Sequence, residues 1–237
     1  MGLMLRLVVP VALMCASCGQ PEVVRTTNEA EPTPSAPAES TPSTTAPRIV
    51  FLGDSLTAGY GLAKEESVPS LIRKRLKDAG YPYEVINAGV SGDTSAGGLN
   101  RLEWSLDGDV KVLVIELGAN DGLRGLPVAG LKQNLTEIIT RAQARHIKVI
   151  LTGMEAPPNF GSAYTSEFRE VYRQLAKEHD VVFVPFYLEG VAGLPNLNIA
   201  DGIHPNAEGS RIVEKTVWTA LEPLLAKRTA DRKNPGR

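Results

Sequence analysis

Cysteine is almost absent from this chain. Two occur among 237 residues, Cys15 and Cys18, and none follows them. The rest of the chain therefore has no disulfide, thiolate metal site or cysteine nucleophile to draw on. Histidine is nearly as scarce, with three residues, and no two are spaced to share an ion, so neither metal nor cofactor is expected. Charge of neither sign dominates: 25 Lys and Arg face 27 Asp and Glu, for a net −2 at pH 7. That balance gives no reason to expect nucleic acid as a partner. A Lys-bearing phosphate loop is also missing. Gly59-Tyr60-Gly61 lacks the third glycine of a dinucleotide fingerprint and does not open directly from a strand, which disfavours a nucleotide-binding module.

The chain's start differs from the remainder. Arg6 is the only charge in residues 1–17, and Leu7 to Ala16 is an apolar run too short to span a bilayer. This pattern reads as a secretory leader. It ends in Ala16-Ser17 before Cys18, which resembles the lipobox of bacterial lipoproteins, although Cys15 stands where Leu is usual. In that family the leader is removed and the cysteine acylated, so the resemblance implies lipidation at Cys18. Residues 19–47 are rich in Pro, Ser and Thr and contain no aromatic, the composition of a tether. At about 3.1 Å per residue it would reach at most roughly 90 Å. The expected location is the cell envelope outside the cytoplasm, periplasmic or at the surface, with membrane contact through the lipid. Secretion is the alternative if the lipobox is not used.

From residue 48 to 226 the chain is long enough for one domain with a sizeable core, and a basic tail of 227–237 follows. Apolar runs near 48–53, 83–88, 110–117, 148–154 and 181–186 read as strands. Helical stripes alternate with them: Val68, Leu71, Ile72 and Leu76 after Ser67 as a cap, then Val128 to Ala142, Phe168 to Leu175, and Ile212 to Leu221. Five strands alternating with helices predict an α/β fold, a three-layer α/β/α sandwich on a parallel five-stranded sheet. Functional residues should then lie in loops at the C-terminal ends of the strands.

Such loops carry polar residues, and the one after the second strand, Asn87 to Ser95, reads on its own as a Gly-rich turn with Asp93 or Ser95 capping the next helix. Ser55 follows the first strand in Gly53-Asp54-Ser55. Asn120 lies in Gly118-Ala119-Asn120-Asp121 after the third. His204 lies in Asp201-Gly202-Ile203-His204-Pro205-Asn206 after the last. Each alone could be a plain turn or helix cap. The histidines narrow the choice, because His146 and His179 each close a helix before a strand, where a cationic side chain suits the helix dipole. His204 is thus the one base available to Ser55, and Asp201 the nearest carboxylate to orient it. Asp54 reads as holding its turn, and Asp93 and Asp121 read as structural.

Taken together, GDSL at 53–56, Gly89, GAND at 118–121 and DGIHPN at 201–206 resemble the SGNH (GDSL) hydrolase family, nearest its bacterial thioesterase/arylesterase branch. SGDTSAGGL at 91–99, ELGANDGLRG at 116–125 and APPNFGSAY at 156–164 extend the likeness over essentially all of 48–225. Ala119 stands where many members have Gly. The resemblance implies a flavodoxin-like SGNH fold and a serine esterase. Ser55 would be the nucleophile, His204 the base with Asp201 as its partner, and Ser55, Gly89 and Asn120 the oxyanion-hole donors. Implied substrates are small-molecule or lipid carboxylic esters: aryl, alkyl, lysophospholipid or thioester. A carbohydrate O-acetylesterase and a non-catalytic surface lipoprotein are the alternatives. The apolar but small or mobile residues Leu56, Ala96, Leu123, Pro157, Phe160 and Val191 are expected to shape the acyl pocket.

Overall fold

A computed structural model of the protein describes residues 46–225. The expected leader, Cys18, the expected tether up to residue 45 and the basic tail lie outside the described residues. Five strands form one parallel sheet: β1 (Arg48–Gly53), β2 (Glu84–Gly89), β3 (Val110–Glu116), β4 (Lys148–Thr152) and β5 (Val182–Val184), in the order β2-β1-β3-β4-β5. Neighbouring side chains of a strand point to opposite faces. Ile49, Val50, Phe51 and Leu52 are all fully buried, so both faces of β1 are covered. That is why its sequence is a continuous β-branched and aromatic run rather than an alternation.

The covering helices are α1 (Ser55–Ala58), α2 (Val68–Asp78), α3 (Ser95–Asn100), α4 (Leu102–Ser105), α5 (Ala119–Leu123), α6 (Val128–Ala144), α7 (Ser162–Glu178) and α8 (Ala207–Leu221). Helices α2 and α8 pack on each other, and α6 packs on both α3 and α7. The four expected stripes face the core, with Leu71 and Ile212 only half-buried at their edges. Ser67 does not cap α2 through its side chain. Its hydroxyl donates instead to the Lys64 carbonyl at 3.0 Å.

The sheet order fixes where a ligand can sit. From β1 the chain first runs outward to β2, then returns to place β3 on the other side of β1. The loops leaving β1 and β3 therefore diverge and leave a crevice at the C-terminal edge. Arg101 fastens this edge from below. Its guanidinium donates to the Gly53 carbonyl (2.8 Å), the Ala88 carbonyl (2.6 Å) and the Asp93 carboxylate (2.6 Å), tying the ends of β1 and β2 to the next turn.

Candidate active site

Ser55 is the first residue of α1, directly after the buried strand β1. The preceding Asp54 caps that helix, its Oδ1 accepting the Leu56 amide at 3.0 Å. A capped single turn fixes the direction of the serine hydroxyl and leaves the Ser55 amide ahead of any partner in its own helix. From the far end of the chain the 201–206 loop delivers the imidazole. Asn198 bridges to Pro205, and the Ile199 amide donates to the His204 carbonyl at 2.8 Å. Asn206 then caps α8 by accepting from the Glu208 and Gly209 amides at 3.0 Å. The sequence Asp-Gly-Ile-His-Pro-Asn thus folds as a short bridge locked to a helix start.

The result is a continuous relay. His204 Nε2 lies 2.8 Å from Ser55 Oγ, and Nδ1 lies 2.6 Å from Asp201 Oδ2. Asp201 Oδ1 also accepts the Ile203 and His204 amides, both at 3.0 Å. Desolvation pushes the Asp201 carboxyl up, but these two amides, the His204 ring bond and the imidazole's charge outweigh it and hold it at about 2. The carboxylate therefore stays ionised and fixes Nδ1 as the protonated nitrogen, leaving Nε2 free to accept from serine. The Tyr60 ring lies 4.7 Å from the imidazole and covers one face of it. His146 and His179 sit at the ends of α6 and α7 and do not line the site.

The donor side differs in one residue from the reading by resemblance. Gly89 faces away from the cavity, and its amide donates to Asn87 Oδ1 at 3.0 Å. A Cβ there would lie 2.3 Å from the Ala58 nitrogen, so Gly89 lets α1 pack on β2. The nearby glycine that does line the cavity is Gly92, at φ +86° in the turn after β2. Among the described residues nothing accepts from its amide. Asn120, on α5, lines the same cavity, and its Nδ2 donates to Asp54 Oδ2 and the Asp93 carbonyl, each at 3.0 Å. Asp93 is held by Arg101, and Asp121 accepts the Ser95 amide (2.8 Å) and hydroxyl (2.6 Å), so both are structural as expected.

Ser55 and His204 open on a cavity of about 740 Å³. Of the six residues expected to shape it, Leu56, Leu123 and Pro157 do. Val191 is instead fully buried, and Ala96 and Phe160 lie off the lining. Phe160 stacks on Tyr164. The remaining apolar wall comes from Met154, Ala156, Phe186, Leu188 and Ile203. Sequence reasoning missed these because they sit at strand ends and in loops that carry no periodicity. Among the described residues no three His, Cys, Asp or Glu side chains are grouped to hold a metal ion.

Over residues 51–212 the sequence matches the GDSL-like lipase/acylhydrolase family, a stretch that includes every member of the relay. The chain belongs to this family. It is 46% identical over 178 residues to the esterase TesA of Pseudomonas aeruginosa, covering 75% of this chain and 89% of that relative. An arylesterase of Vibrio mimicus is 41% identical over 175 residues, covering 73% and 88%. A crystal structure of TesA matches with a TM-score of 0.72 at 45% identity, over 76% of this chain and 99% of the other. The GDSL tetrapeptide of the family's name is here the corner between β1 and α1, Gly53 to Leu56.

Proposed function

We propose that the protein hydrolyses carboxylic esters through an acyl-enzyme on Ser55. The observation that carries this is the unbroken Asp201–His204–Ser55 relay opening on an apolar-walled cavity. As Ser55 Oγ bonds to the ester carbonyl carbon, its proton passes to His204 Nε2, and the charge that forms on the imidazole is balanced by Asp201. The carbonyl oxygen becomes an oxyanion and is met by the amides of Ser55 and Gly92 and by Asn120 Nδ2. For this, Asn120 turns one of its hydrogens from a resting partner to the oxyanion. His204 returns its proton to the leaving oxygen, the alcohol departs, and the acyl group stays on Ser55. Water repeats the sequence: His204 takes its proton, the acid is released and Ser55 regains its hydrogen.

Ser55→Ala should lower kcat about 10⁴–10⁶-fold with the fold intact. A fluorophosphonate should label the wild type at Ser55, and labelling that persists in the variant would refute the assignment. Asn120→Ala should cost about 10²–10³-fold in kcat with little change in KM. The proposal extends to a membrane anchor through an acylated Cys18, a part that rests on the lipobox-like residues alone. Full-length protein should enter a detergent phase through an acylated Cys18, and Cys18→Ser should stay in water.

A further inference from the structure

Glu116 is a fully buried carboxyl group that the relay does not use. It ends β3, directly after the four buried apolar residues Val112 to Ile115, and its side chain lies beneath the corner that carries Ser55. Its two oxygens are treated unequally. Oε2 accepts three donors: the Asp54 amide (3.2 Å), the Thr57 amide (3.2 Å) and the Thr57 hydroxyl (2.8 Å). Oε1 is buried with no donor at all. A second buried carboxyl, Asp54, lies within hydrogen-bonding reach of the Glu116 carboxyl. The titratable groups facing Glu116 are Asp54, Tyr172 and Tyr187, and the one group of opposite charge acting on the pair is the His204 imidazole, which reaches Asp54 and not Glu116.

Asp54 is used only as an acceptor. Its Oδ1 takes the Leu56 amide and its Oδ2 takes Asn120 Nδ2. Two ionised carboxylates in contact, buried and with no cation hydrogen-bonded to either, would be strongly unfavourable, and one proton between them removes the conflict. Glu116 Oε1 is the one oxygen of the four without a donor, so the proton belongs there.

We propose that Glu116 is a positioning residue for the oxyanion hole, keeping its proton on Oε1 and donating it to Asp54, whose carboxylate in turn holds the Asn120 amide. No bond to substrate is involved. One hydrogen bridges the two acids, the pair carries a single negative charge, and that charge is directed at Asn120. Burial drives the Glu116 carboxyl well above its ordinary range, and the Asp54 charge adds to this. Glu116 also grips the amides of Asp54 and Thr57, so one side chain sets both the nucleophile's turn and, through Asp54, the donor opposite it. The inference rests on the oxyanion role proposed for Asn120.

The test uses Glu116→Gln, Glu116→Ala, Asn120→Ala and the double variant Glu116→Ala/Asn120→Ala in the whole domain. Glutamine keeps the accepting oxygen and offers an N–H to Asp54, so its kcat should stay within about threefold of wild type. Alanine should lower kcat about 10–10²-fold with KM nearly unchanged, the scale of a misplaced catalytic group. On top of Asn120→Ala, the alanine change should then cost clearly less than it does alone, because the share that acts through that donor is already lost. Infrared difference spectra at neutral pH should show a protonated carboxyl in the wild type that is absent from Glu116→Gln. The proposal is overturned if that signal is missing, if glutamine is as damaging as alanine, or if the two losses multiply in the double variant. Should Glu116→Ala not fold, the glutamine variant and the spectra still decide. A silent Asn120→Ala would instead refute the oxyanion role itself, while the infrared result would stand independently.

Discussion

At Gly89 a methyl group would lie 2.3 Å from the Ala58 nitrogen and 2.8 Å from its Cα, whereas at Gly92 it would meet only the Arg124 guanidinium at 3.8 Å. The two substitutions should therefore fail differently. Gly89→Ala pushes α1 off β2 and should cost about 1–3 kcal/mol of stability, the range for an overpacked core. Gly92→Ala has space, but φ +86° strains any residue with a Cβ, and the relieving shift would re-aim an amide at the oxyanion. Thermal unfolding and kcat read the difference: stability falls most at 89 and kcat most at 92. The opposite pattern would return the donor role to Gly89. Both glycines end up in Gly-rich text three residues apart, and only the atoms packed against each separate them. His204 and Asp201 were legible because histidine is so scarce. Asp201 also sets the sign of the pH dependence. Its folded value of about 2 lies below the ordinary 3.8, so it stabilises the fold above that value and loses this as pH falls toward 2. A general base must be unprotonated to take the serine proton, so kcat/KM should fall on acidification, and a profile flat from acid to neutral pH would argue against a histidine base.

The strands and long helices were readable from their apolar spacing because burial on both sheet faces, or along one helix stripe, dictates it. The short helices α1, α3, α4 and α5 were not, since four to six residues are too few to display a period. They are nonetheless what aims Ser55 and Asn120. Their cap residues also escaped detection: α3 is capped by Thr94, which accepts the Gly97 amide, rather than by Asp93 or Ser95. Asp93 is occupied by Arg101, and that arginine is the joint between elements. Its three nitrogens satisfy two strand-end carbonyls and a largely buried carboxylate, and the Asp93 carbonyl in turn holds Asn120. Arg101→Ala leaves Asp93 unpaired and two carbonyls without donors, and should cost about 2–4 kcal/mol in urea unfolding. Arg101→Lys keeps the charge but loses the planar fork and should recover less than half of that. Full recovery by lysine would mean that charge alone matters here.

The whole domain is arranged so that one edge of the sheet faces an apolar cavity built from separated parts of the chain, with Leu123 beyond β3, Met154 and Ala156 beyond β4, Phe186 and Leu188 beyond β5, and Ile203 beside His204. Several exposed apolar side chains, Tyr60, Leu123 and Ile203 among them, stand on its lining. A surface of this kind has little polar chemistry with which to read a sugar, so it should select by length of hydrocarbon. Each methylene that enters gains about 0.8 kcal/mol, about fourfold in kcat/KM when the contact persists in the transition state. Selectivity should therefore climb in small steps with acyl length and stop once the cavity is full, giving an optimum at short to medium chains instead of a sharp cut-off. The measurement is kcat/KM on nitrophenyl esters from acetate to palmitate, beside acetylated xylan and a lysophosphatidylcholine. Graded turnover of the nitrophenyl series, with slower release from the lysophospholipid, is the expected result. Efficient deacetylation of the polysaccharide with negligible turnover of longer esters would show that the apolar wall does not hold the acyl chain, and would make the enzyme a carbohydrate esterase.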